Sequence, residues 1–109
     1  MNAKARELDK VVDIVVECCT ADFDGVKTVS REDVLGKGRA ENVVMTRAIL
    51  ASMVQFMGYS VTTTAMLLGR TQSAVRHLLS LADDYNRSSR AFRIAMAEAT
   101  LKCKEIKEQ

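Results

Sequence analysis

VTTTAMLLGRTQSAVRHLLS, residues 61–80, is the stretch on which the fold turns. Gly69 divides it, and each half is preceded by a hydroxyl side chain, Ser60 and Thr71. Such side chains cap helices because their oxygen accepts an orphan N–H of the first turn. Glycine ends helices because it enters the left-handed region without a Cβ clash. The spacing therefore predicts a helix of about eight residues ending at Leu68, an αL turn at Gly69, and a longer helix from Thr71 to about Asn86. Two helices crossing over so short a turn make demands on four positions. The fifth must be small where the second helix passes, and Ala65 is; the ninth must tolerate αL, and Gly69 does. The fifteenth and eighteenth must be apolar to tie the second helix to the core, and they are Val75 and Leu78. Met66 and Leu68 are expected to supply the first helix's own core contacts. A helix-turn-helix satisfies all four demands, and a plain helical hairpin satisfies some of them.

Working outward, apolar residues at three- and four-residue spacing (Leu8, Val11, Val12, Val15, Val16, Cys19) predict a helix over 3–20. Residues 21–29 form a loop around Gly25. Ser30, followed by Glu32 and Asp33, opens a short helix ending at Val34 and Leu35, with acids placed to suit the N-terminal dipole. Gly36 and Gly38 then frame a basic corner holding Lys37 and Arg39. Residues 40–57 carry the strongest helical pattern, a stripe of Val43, Val44, Arg47, Leu50, Val54 and Met57, stopped by Gly58. After the central pair of helices, Ser88 or Ser89 starts a last helix with Phe92, Ala95, Met96, Ala99, Cys103 and Ile106 on one side. Its Lys/Glu-rich end, 102–109, is expected to fray. The fold class is all-α, with five or six helices containing a helix-turn-helix. Residues 1–87 form the helix-turn-helix domain, and 88–109 form a C-terminal helix packed on the same domain.

Composition agrees. The chain has 109 residues, no Pro, five Gly and 48% hydrophobic residues, which is too little turn chemistry for a β-sandwich and too apolar for disorder. An aromatic share of 5% argues against stacking platforms for single-stranded nucleic acid. Cys18, Cys19 and Cys103 have neither zinc-site nor disulfide-framework spacing, which fits buried thiols in a reducing, cytoplasmic compartment. Residues 48–69 are uncharged, but Gln55, Gly58, Ser60 and Thr62–Thr64 fit a buried helix, a turn and another helix better than a membrane span. The charged N-terminus is not a signal peptide.

Net charge is only +2, but it is unevenly spread. Residues 1–35 hold five Lys/Arg against eight Asp/Glu, −3; residues 36–82 hold Lys37, Arg39, Arg47, Arg70 and Arg76 against Glu41 alone, +4; residues 83–109 hold six against five, +1. A basic middle suits a phosphate backbone, and by itself it equally suits a solvated face with a chance bias of charge. In a helix-turn-helix the second helix enters the major groove, which aims Arg70, Thr71, Gln72, Ser73, Arg76, His77 and Ser80 at base edges and phosphates. Arginine can read guanine bidentately and glutamine can read adenine.

These residues, with REDVLGKGR at 31–39, resemble the C-terminal DNA-binding domain of the bacterial replication initiator DnaA, a Trp-repressor-like helix-turn-helix. The similar region spans roughly residues 8–86. The family's signature runs approximately G-G-R-D-H-[ST]-T-V-x-H. Here, over residues 69–77, Arg70, Ser73, Val75 and His77 match it, while Thr71, Gln72 and Ala74 replace Asp, His and Thr, and one Gly is missing. The resemblance implies that Lys37 and Arg39 reach the minor groove, that Arg47 meets a phosphate, and that Arg70, Ser73 and His77 face the major groove. It implies double-stranded DNA as partner and a role in replication-origin binding or replication control. The base-reading differences leave the target sequence open.

No G-x-x-x-x-G-K-[ST] is present, so the chain is expected to lack the initiator's ATPase function and to need no cofactor. The starting Met and orderly first helix favour a free-standing relative over a fragment. No paired carboxylates, metal cluster or nucleophile with a base appears, so no enzyme, no small-molecule substrate and no membrane partner is expected. Two alternatives stand beside this reading: a transcriptional regulator of Trp-repressor type, and an interaction module that dimerises through the 88–106 stripe. A homodimer is compatible with the first reading but not required by it.

Overall fold

The computed structural model describes residues 2–19 and 29–108, and every regular element among them is a helix. The architecture is explained by its third helix, α3 (Glu41–Phe56). Ala48, Ile49, Leu50 and Ala51 follow one another with no exposed surface. At 3.6 residues per turn, four consecutive residues face every side of a helix. Such a helix must be surrounded, and α1 (Ala3–Cys18), α2 (Arg31–Leu35), α4 (Val61–Leu68), α5 (Gln72–Ser88) and α6 (Arg90–Lys107) all pack on it.

The helix starts follow the capping residues of the sequence. Asn2 accepts from the Ala5 N–H at 2.8 Å. Ser30 and Asp33 form a reciprocal capping box, each side chain accepting from the other's backbone N–H. Ser60, Thr71 and Ser89 accept from Thr63, Ala74 and Phe92 in turn. At Gly69, φ is 62° and ψ is 39°, the expected αL turn. The Gly69 N–H donates to the Met66 carbonyl and the Arg70 N–H to the Ala65 carbonyl, satisfying the end of α4. Gly58, at φ 94°, ends α3 in the same way.

Ala65, Val75 and Leu78 are all buried, so the four demanding positions of the 61–80 stretch behave as the spacing predicts. Met66 does not: it is 78% exposed, and Thr64, Ala65 and Leu68 carry the burial of α4 instead. The reason is helical phase. Positions 64, 65 and 68 share one face, and 66 lies away from it.

The last helix also departs from expectation. Rather than fraying from 102, α6 continues to Lys107. Cys103 is fully buried, Lys102 pairs with Glu17 of α1 at 3.1 Å, and the Lys107 ammonium donates to the Phe56 carbonyl at 2.9 Å over the Phe56 ring. The stripe considered for dimerisation is used internally: Phe92, Ala95, Ala99 and Cys103 are buried in the shared core, with Met96 packed against it. Phe92 also meets Tyr85 of α5, ring centroids 5.4 Å apart. The loop expected at 21–29 lies outside the described residues except for Val29, which is buried. No helix among the described residues is long and apolar enough to cross a membrane.

Three buried or half-buried acids give the fold a pH signature. Burial pushes the Cys19 thiol up to about 12 and the Cys103 thiol up to about 11, from an ordinary 9.0. Burial, then the hydrogen bond to Glu7 at 2.6 Å, pushes the Tyr59 phenol from 10.0 up to about 12. In each case the folded state holds its proton more tightly than the unfolded chain. Stability from these groups is therefore complete below pH 9 and falls as pH rises from about 9 toward 12. Urea midpoints measured at pH 8 and pH 10.5 are expected to be lower at the higher value; a midpoint that rises would contradict these assignments.

Candidate nucleic-acid interface

On α5, Val75, Leu78 and Ala82 point into the core, which turns Gln72, Ser73, Arg76, His77 and Ser80 to solvent. Ser73 and His77 stand one turn apart on one face, as do Gln72 and Arg76. Thr71 is exposed, and its hydroxyl is occupied as the cap of α5, 3.1 Å from the Ala74 nitrogen. The Gln72 amide donates to the Thr62 hydroxyl of α4 at 3.0 Å and accepts from the Arg76 guanidinium at 3.4 Å. A polar line thus runs from Thr62 across the turn to Arg76.

The corner between α2 and α3 presents Lys37 and Arg39, both exposed. Lys37, Arg39, Arg70 and Arg76 form no ion pair among the described residues. No acid occurs from 61 through 82, so the first turns of α5 carry positive charge without a carboxylate of their own, while Glu32, Asp33 and Glu41 flank the corner.

Two arginines of the expected site are placed differently. Arg47 is only 3% exposed, and it does not offer its guanidinium to a phosphate. It lies on the most buried helix, and its nitrogens donate to the carbonyls of Val34 (2.9 Å), Gly38 (3.1 Å), Asp33 (3.1 Å) and Gly36 (3.0 Å). A guanidinium has five N–H donors and cannot be buried without acceptors. Carbonyls at the C-terminal end of α2 and in the following corner provide them; that of Asp33 also accepts from the Gly36 N–H. Burial, then the nearby Arg70 charge, lowers its hold on its proton. Arg70, half-buried, turns back as well, donating to the Leu68 carbonyl at 2.8 Å and to the Gly36 carbonyl at 2.8 Å.

The exposed basic set is therefore Lys37, Arg39 and Arg76, with Gln72, Ser73 and His77 beside Arg76. Two contributors escaped sequence reasoning. Gly36 matters through its carbonyl, which no side-chain pattern reveals. Thr62 supports Gln72 from ten residues away, a contact that depends on how the two helices cross. The signal for Arg47 was present in its position: an arginine in register with Val43, Leu50 and Val54 points inward. Among the described residues no group of three or more His, Cys, Asp or Glu is placed to hold a metal ion. Comparison of the chain with protein-family models, curated proteins and solved structures found no match.

Proposed function

We propose that this protein binds double-stranded DNA, laying the N-terminal half of α5 in the major groove and the Lys37–Arg39 corner on the adjacent backbone or minor groove. One observation carries this reading. The turn residue Gly69, the buried Ala65, Val75 and Leu78, and the outward Gln72, Ser73, Arg76 and His77 coexist on one stretch, residues 61–82, that contains no acid. Donors and acceptors without a neighbouring carboxylate suit a polyanion. Their position on the first turns of the second helix suits base edges. Phosphate contacts would set the register and a few side chains would read sequence. The resemblance to the DNA-binding domain of a replication initiator supports origin binding or replication control as the process.

The test is fluorescence anisotropy with a labelled duplex of random sequence and with the matching single strand. Duplex binding is expected with a Kd on the order of 10⁻⁴–10⁻⁶ M near physiological salt, tightening as salt is lowered. Absence of duplex binding at low salt, or equal binding of both forms, would overturn the proposal.

A further inference from the structure

We propose that Arg47 and Arg70 are positioning residues for the DNA-binding surface: they latch the Gly36–Arg39 corner to the turn of the helix-turn-helix, so that corner and α5 meet a duplex as one body. The inference rests on the DNA-binding reading above. Its structural basis is one carbonyl, that of Gly36, accepting from two guanidiniums. Arg47 reaches it from the central helix at 3.0 Å, and Arg70 reaches it from the turn at 2.8 Å. The other nitrogen of Arg70 holds the Leu68 carbonyl at the end of α4. Arg70 therefore bridges the turn to a corner 34 residues away in sequence.

The corner has little else to order it. Among the described residues the amides of Lys37, Gly38 and Arg39 donate to no backbone carbonyl; Arg47 holds the Gly38 carbonyl at 3.1 Å, but a Cβ at Gly38 would meet nothing within 4 Å. Glycine at that position gives the chain its widest backbone freedom. At Gly36 the opposite holds: a Cβ there would lie 2.7 Å from the Glu32 carbonyl oxygen, so only glycine lets the backbone approach the end of α2 this closely. That approach points the Gly36 carbonyl at both arginines. An exposed basic segment fixed in this manner does not have to be ordered when DNA binds, and pre-ordering raises affinity.

The experiment has one arm without DNA and one with it. In the free protein, ¹⁵N relaxation is expected to give order parameters near 0.85 for residues 37–39, falling below about 0.6 in Arg70→Ala while α5 is unchanged. On a random duplex, Arg70→Ala is expected to weaken binding about tenfold in the native background but less than twofold when Lys37→Ala and Arg39→Ala are already present. Arg70→Lys keeps the charge but cannot span the Leu68 and Gly36 carbonyls, so it should loosen the corner too. It also serves as the test variant if Arg70→Ala does not fold. Unchanged order parameters, or a tenfold effect that persists in the double-alanine background, would overturn the latch; the latter would make Arg70 a direct DNA contact. If the native protein binds no duplex, the functional reading fails, and the relaxation arm still decides whether the latch exists.

Discussion

Arg47→Met is expected to destabilise the protein by about 3 kcal/mol and to lower the melting temperature by roughly 10–20 °C. Methionine keeps the apolar stem of the arginine out to about the position of Nε, so what the substitution removes is the guanidinium. The loss arises chiefly at the carbonyls of Val34 and Gly38; Gly36 keeps Arg70 as a donor and Asp33 keeps the Gly36 N–H. Removing a donor from a buried acceptor costs about 1–3 kcal/mol per group, less where water can enter. Val34 is fully buried, whereas the corner lies nearer the surface, so partial rehydration brings the total to the figure given. A buried ion pair can be replaced by apolar residues at little cost because both partners leave together. Here the acceptors are backbone and cannot leave. Urea denaturation should show a lower midpoint with an unchanged slope; a loss under about 0.5 kcal/mol, the range of ordinary surface changes, would show that the buried guanidinium is not holding the corner.

Removing the three exposed cations together, Lys37→Ala, Arg39→Ala and Arg76→Ala, is expected to weaken duplex binding by about 10²–10³ at 0.1 M salt. Each phosphate contact adds about 0.9 to the slope of log affinity against log salt, which is close to an eightfold factor at 0.1 M. Three contacts give the range stated, and the slope should become shallower by about 3. The same variant should melt within a few degrees of the native protein, because all three side chains are exposed and none caps a helix or forms an ion pair among the described residues. Equal affinities for native and triple variant would place the DNA contact elsewhere.

The parts of this fold that depend on neighbours in sequence were legible before any coordinates. Ser30, Ser60 and Thr71 cap where their spacing predicts, and of the two serines offered for the last helix Ser89 is the cap, because capping is settled within three residues. Gly69 turns left-handed for the same local reason. Elements whose fate depends on distant partners were less legible. Lys/Glu density at 102–109 signals fraying, yet Lys102 and Lys107 find Glu17 and the Phe56 carbonyl, contacts 85 and 51 residues away. Met66 reads as a core residue by composition, but α4 turns the face of Thr64, Ala65 and Leu68 inward, and Met66 lies off that face. The resemblance makes Arg47 a phosphate contact and the helix-turn-helix reading aims Arg70 at the groove, yet both donate to the corner after α2. Charge along a sequence locates a basic region. It does not say which cations spend their hydrogen bonds inside the protein.

The most direct measurement is a duplex titration of the ¹⁵N-labelled protein, followed by amide chemical shifts. Binding through α5 and the corner predicts that shifts concentrate at residues 37–39 and 71–80, while the outer face of α6 around Ile94 and Leu101 stays still. Shifts centred on α6, or no shifts at low salt, would contradict the account.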